Sequence, residues 1–194
     1  MKHTFICRAL MTVAALGATC ASALATGSSG SGSVSIPTPA GVTQNFNSLS
    51  NSSTPSNSLP TGWYLTETGT GAAADGSYVV GTGSGNAGGA YSFGAALSTD
   101  RALGSLGSGT VTPIQYGAFL TNNTGSVITS VTIAYTGKMW RRGTATAAAG
   151  EGLTFAYSLD ATNLTTGTFT NVPGLNFASP GDACSATQLS LIHI

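Results

Sequence analysis

Beyond residue 41 the chain alternates short apolar runs with turn-forming stretches, and no run long enough for a helix keeps a helical apolar period. Phe46 and Leu49 open the series, followed by a polar loop over 51–57. Trp63 and Leu65 alternate with Tyr64 and Thr66, the two-residue period of a half-buried strand. Residues 77–80, Tyr91-Ser92-Phe93 and Ala102-Leu103 read as further short strands, separated by glycine-rich loops at 69–76 and 81–89. Residues 114–120 and 127–135 are β-prone and flank the turn Thr121-Asn122-Asn123-Thr124-Gly125, which predicts a hairpin. In its return strand Thr129, Val131, Ile133 and Tyr135 share one face, and Ser130, Thr132 and Ala134 the other. A second hairpin is expected from 153–157 through 158–163 to 168–172.

Repeated short strands with Gly and Asn turns predict an all-β chain, an antiparallel sandwich of jelly-roll type. Residues 42–188 are assigned to this domain, and residues 26–41, rich in Gly and Ser and ending in Pro37 and Pro39, to a linker.

The 194 residues suffice for one domain with a core. Only 6% are charged, far below the roughly 25% of ordinary soluble proteins, and the net charge is zero. Nothing in that balance attracts nucleic acid or anionic lipid.

The first 25 residues follow the order of a secretory leader: Lys2, His3 and Arg8, an apolar stretch over 9–21, then the small-x-small site Ala23-Leu24-Ala25. The apolar stretch is shorter than the roughly 20 residues of a membrane span, so no stable anchor is expected. Cleavage after Ala25 removes Cys7 and Cys20 and leaves Cys184, either free or paired with a partner outside this sequence. The final six residues, 189–194, are what the DNA string CTGTCTCTTATACACATC encodes, which resembles a sequencing-adapter end. On that reading the native segment stops near Gln188, the sandwich lacks its C-terminal strands and is only marginally stable alone, and the mature chain holds no histidine.

The strand series carries a resemblance. Phe46-Asn47-Ser48-Leu49, Leu59-Pro60-Thr61-Gly62-Trp63, Tyr91-Ser92-Phe93-Gly94, Arg101-Ala102-Leu103-Gly104-Ser105 and Phe119-Leu120-Thr121-Asn122-Asn123-Thr124-Gly125 appear in order. Tyr135-Thr136-Gly137-Lys138-Met139-Trp140-Arg141 and Phe155-Ala156-Tyr157-Ser158-Leu159-Asp160-Ala161 follow. Over 46–177 this series resembles a β-sandwich region that follows the leader of exported bacterial proteins, among them proteins with a PEP-CTERM sorting tail and some large extracellular nucleases. Lys138 stands where that region usually has an acid. The resemblance implies a fold more than an activity, because the region accompanies several activities.

Candidate chemistry is sparse. Without a mature histidine, Ser-His-Asp and Cys-His arrangements are excluded, and no glycine run has phosphate-loop form. The carboxylates Glu67, Asp75, Asp100, Glu151, Asp160 and Asp182 are scattered, against the convergent pair a glycosidase needs. A structural calcium ion is the one cofactor with candidate ligands, Asp75, Asp100 and Asp160. Trp63, Tyr64, Tyr91, Trp140 and Tyr157 could stack on sugar rings, or serve as core anchors. Trp63, Trp140 and Arg141 are the candidate ligand residues, and Trp140 beside Arg141 and Arg142 could instead form a cation–π stack or pair with Glu151.

The expectation is a secreted, non-catalytic sandwich module, structural or adhesive, forming the N-terminal part of a longer exported bacterial protein. The alternatives are a carbohydrate-binding module facing a polysaccharide or cell-surface matrix, and an accessory domain of an extracellular nuclease or other hydrolase. Alanine at Trp63 and at Trp140 separates binding from packing.

Overall fold

The computed structural model describes residues 4–11, 25–52, 54–140, 152–178 and 185–193. Among them every regular element is a strand except one 3-10 turn, Pro173–Leu175. The largest sheet is built on β8 (Val111–Asn122), which is flanked by β4 (Trp63–Gly69) and β1 (Thr4–Met11), both antiparallel to it. Beyond β4 lies β2 (Ala25–Gly30), and beyond β1 lies β10 (Gly152–Ser158). The two-residue strands β11 (Thr170–Asn171) and β12 (Phe177–Ala178) both pair with β10. β3 (Val34–Ile36) runs parallel to the far end of β8.

The second layer holds two smaller sheets. One runs β5-β6-β7, formed by Tyr78–Gly81, Gly89–Phe93 and Ala102–Leu106. The other pairs β9 (Ser130–Lys138) with β13 (Ser185–His193).

Two-residue alternation places the core. Leu65 on β4 and Ile114 and Tyr116 on β8 meet Tyr78, Ala90 and Leu103 of the second layer, together with Leu49, Ala74 and Val111. Cross-strand partners Leu65 and Tyr116 share this face, as directly opposed residues must. Tyr64 and Phe119 point the other way, where Ala161, Leu164 and Phe169 of the 159–169 loop cover them. A third cluster joins Phe155 and Tyr157 of β10 to Ile133 and Tyr135 of β9, with Leu175 beneath.

The polar loop at 51–57 is fastened by Tyr78. Its hydroxyl accepts the Ser50 N–H at 3.0 Å and donates to the Ser58 carbonyl at 3.0 Å, and its backbone exchanges two hydrogen bonds with Ser56. Gly62 turns the chain into β4 with φ +81°, and an added Cβ would lie 2.2 Å from the Val34 nitrogen. Only glycine fits that turn.

The all-β sandwich and most of its strands match expectation. In β9, Val131, Ile133 and Tyr135 are half-buried while Ser130, Thr132 and Ala134 are exposed. The β10–β11 hairpin forms as expected, with Tyr157 opposite Thr170. The hairpin expected between β8 and β9 does not form. Both long edges of β8 are taken, by β4 and β1, so β9 crosses to the other layer and packs its apolar face on Phe155. Two segments within the glycine- and serine-rich 26–41 stretch are also strands, since backbone pairing needs no large side chain. Residues 4–11, inside the leader-like segment, form the interior strand between β8 and β10, and most of the adapter-like 189–194 lies in β13.

Leu65 is fully buried at the centre of the core. Leu65→Ala is expected to cost about 3 kcal/mol through lost contacts and a residual cavity. Chemical denaturation checks this, with exposed Val127→Ala as the near-neutral control.

Candidate functional site

Polar chemistry in the described residues gathers around β6, at the joint between the layers. β4 places Trp63, Leu65 and Glu67 on its core face, so a carboxylate enters an otherwise apolar row. Glu67 is fully buried. Its Oε1 accepts the Ala90 N–H at 2.6 Å and its Oε2 the Gly76 N–H at 3.0 Å. One carboxylate thereby ties β4 to β6 and to the 70–77 loop. Burial pushes the Glu67 carboxyl up to about 7, the nearby Asp75 adds to the rise, and the two backbone donors oppose it.

Arg101 enters from the other side of β6 and is 3% exposed. Its Nε donates to Ser92 Oγ at 2.9 Å and its Nη1 to the Ala95 carbonyl at 3.1 Å. Its Nη2 donates to the carbonyls of Ser92 and, at 3.5 Å, Gly81. Ser92 Oγ passes the network on to the Ser50 carbonyl at 2.8 Å. Gly94 gives the guanidinium its space, since a Cβ there would lie 2.4 Å from Nη1. These partners are neutral oxygens, and burial lowers the guanidinium pKa while leaving it charged. The arrangement fits a structural clamp: all three guanidinium nitrogens donate to main chain or to Ser92.

The calcium candidates are not drawn together. Asp75, Asp100 and Asp160 are all exposed, and among the described residues no three His, Cys, Asp or Glu side chains could share a metal ion. Asp160 closes its own loop: Oδ1 accepts Ser158 Oγ at 2.7 Å and the Thr168 N–H at 2.8 Å, and Oδ2 accepts Thr168 Oγ1 at 3.1 Å. The Ser158 hydroxyl, then the Thr168 N–H, hold its carboxyl below the usual range. Asp75 Oδ1 accepts the Ser77 N–H at 2.8 Å in the same style of turn.

The aromatic candidates separate. Trp63 packs edge-to-face against Phe46 with centroids 4.6 Å apart, a core-edge contact. Trp140 stacks on Phe93 at 5.7 Å, and Phe93 on Tyr91 at 4.8 Å, in a ladder of nearly parallel rings. Gly81 and Gly104 flank it on β5 and β7, where a Cβ would lie within 3 Å of these rings. Tyr91 is anchored by its hydroxyl, which donates to the Ala87 carbonyl at 2.6 Å. Arg141, Glu151, Asp182 and Cys184 lie outside the described residues.

Glu67 and Arg101 were not singled out by sequence patterning as buried groups. For Glu67 a signal existed, its in-register position after Trp63 and Leu65; for Arg101, just before β7, there was none.

In comparisons with known proteins, no family model matches the chain, and no curated protein or solved structure does either.

Two predictions test the clamp. The Glu67 carboxyl has a higher pKa folded than unfolded, so its protonated form favours the fold. That stabilisation is full below about pH 4.5 and is lost as pH rises through about 7, about 3 kcal/mol in all. Urea denaturation from pH 5 to 8 is expected to show this loss in the wild type and not in Glu67→Gln. Arg101→Lys, which cannot reproduce the fork, is expected to cost about 3 kcal/mol, against near zero for exposed Lys138→Ala.

Proposed function

We propose that this chain is exported by its N-terminal leader and acts outside the cell as a non-catalytic β-sandwich module with a structural or adhesive role. The observation that carries the reading is the use of its buried ionisable side chains. Glu67 holds two backbone N–H groups of neighbouring segments, and Arg101 holds the carbonyls of Ala95 and Ser92. Asp160, at the surface, closes a loop on itself. Side chains of catalytic type are therefore engaged in joining strands and loops, and the core between the layers is filled by Leu65, Tyr78 and Ile114. A low charge content with many Gly, Ser and Thr residues suits the same role. No helix among the described residues is long and apolar enough to cross a membrane.

A second reading has one observation in its favour. The Tyr91-Phe93-Trp140 ladder presents Trp140, half-buried, at its outer end, and a flat ring can meet the C–H face of a sugar. Carbohydrate binding would then rest on Trp140, with Trp63 left to packing.

Expression of the full chain in a bacterium with the general secretory system tests export. The recovered protein is expected to begin at Thr26, and an intact Met1 would overturn that part. Affinity electrophoresis on insoluble and soluble polysaccharides tests the choice of role. No retention is expected; retention of the wild type that disappears in Trp140→Ala, with an unchanged melting temperature, would establish the sugar-binding reading instead.

A further inference from the structure

We propose that Asn163 is an N-glycosylation site, whose side-chain nitrogen takes a sugar from an activated donor and seats the first ring over Tyr64 and Phe119. This goes beyond the scaffold reading above and does not depend on it.

An asparagine followed two positions later by Ser or Thr, with no proline between, is the acceptor pattern for N-linked sugars. The sequence holds it three times, at Asn51-Ser52-Ser53, Asn122-Asn123-Thr124 and Asn163-Leu164-Thr165. The reacting atom is Nδ2, so the three differ by what that atom already holds. Asn51 is half-buried, and its Nδ2 donates to the Leu97 carbonyl at 3.0 Å. Asn122 is also half-buried, and its Nδ2 donates to the Ser126 carbonyl at 2.7 Å. Both nitrogens are spent on holding turns together.

Asn163 is different. It is exposed on the 159–169 loop, and its hydrogen bonds all run to the oxygen. Oδ1 accepts the N–H groups of Thr165 and Thr166, each at 2.8 Å, and the Thr165 hydroxyl at 2.9 Å. These donors fix the carboxamide, while Nδ2 has no hydrogen-bond partner among the described residues. The hydroxyl that the acceptor pattern requires is thus one of the groups that orient the acceptor. The loop is itself held from below, by buried Leu164 against Tyr64 and Phe119, and from the side, by Asp160 on the Thr168 N–H. A transferase meets a preformed surface turn.

A second, independent feature lies beside it. Thr162, Asn163 and Leu164 line, with Tyr64 and Phe119, a notch of about 170 Å³ that opens to solvent. Both rings are half-buried, and the Tyr64 hydroxyl is fastened to the Gly32 carbonyl at 2.7 Å. A sugar linked to Asn163 starts at the rim of this notch, where the C–H face of a pyranose can meet an aromatic face.

The donor is a sugar carried on a nucleoside diphosphate or on a lipid pyrophosphate, delivered by a transferase. Nδ2 attacks the anomeric carbon, and a C–N bond forms as the C–O bond to the phosphate breaks. The diphosphate leaves with the electron pair, and one Nδ2 proton passes to a base of the transferase. Nothing is oxidised or reduced.

The test offers the folded full chain to two enzymes in separate arms. One is a nucleotide-sugar-dependent N-glycosyltransferase with UDP-glucose, the other an oligosaccharyltransferase with a lipid-pyrophosphate oligosaccharide. Synthetic peptides covering residues 47–55, 118–128 and 159–169 run beside it, so that each site's rate in the folded chain is divided by its rate in the peptide. Peptide mapping by mass spectrometry is expected to find one glycan per chain, at Asn163. Its folded-to-peptide ratio should exceed those of Asn51 and Asn122 by about tenfold or more, the cost of breaking one hydrogen bond. The arm that supports transfer names the donor class. Asn163→Gln and Thr165→Ala are each expected to abolish it, and Thr166→Ala to leave it unchanged. In the product, nuclear magnetic resonance should show C–H protons of the first sugar shifted upfield by the two rings. No transfer to Asn163 in either arm, or a ratio at Asn51 or Asn122 equal to that at Asn163, overturns the acceptor assignment. Sugar protons at their free-solution positions overturn the seat on Tyr64 and Phe119.

Discussion

The constraint on which the structure depends is the pairing of β8. A strand of twelve residues, apolar on both faces in places, must satisfy its backbone along two edges. β4 answers one edge, extended by β3, and the segment 4–11 answers the other. The side chains then fall into place by alternation. Ile114 and Tyr116 face the second layer, and Phe119 faces the 159–169 loop. Because β8 is covered on both faces and both edges, it forms the spine against which the small sheets pack.

The polar joint around β6 follows from the same economy. The chain has six acidic and six basic residues, and one of each is buried beside this single short strand. Glu67 takes the Ala90 N–H, and Arg101 takes Ser92, two residues further along β6. Each charge meets main chain or a hydroxyl, so each fixes a loop that side-chain packing alone would leave loose: 70–77 through Gly76, and 95–100 through Ala95. Low overall charge, with buried ionisable side chains bonded to main chain and Ser92, describes a scaffold whose polar groups hold its shape.

Much of this was legible in the sequence, and the losses have physical causes. Alternation was readable where one face meets solvent, as in β9, where Val131, Ile133 and Tyr135 stand against Ser130, Thr132 and Ala134. The β10–β11 return was readable from its Asn- and Thr-rich turn. The partner of β9 was not, because a turn sequence does not reveal that both edges of β8 are occupied. Strand pairing of 25–30 was hidden by composition: ATGSSG has no large apolar residue to set a pattern, and it is held by backbone pairing to β4. Of the candidate site residues, Trp140 was marked as a sugar-stacking or core-anchoring aromatic, but its stacking partner Phe93, and Tyr91 beyond it, were not legible, because they come from a strand 47 and 49 positions earlier. Arg101 carried no local signal, since its burial depends on Gly94 making room.

The most direct measurement of this account is residue-resolved hydrogen exchange on the intact chain under native conditions. If β8 is the spine, amides of 114–120 belong to the slowest class and open only with global unfolding, while those of the 95–100 loop exchange orders of magnitude faster. Protection at 114–120 no greater than in that loop would contradict a strand paired on both edges.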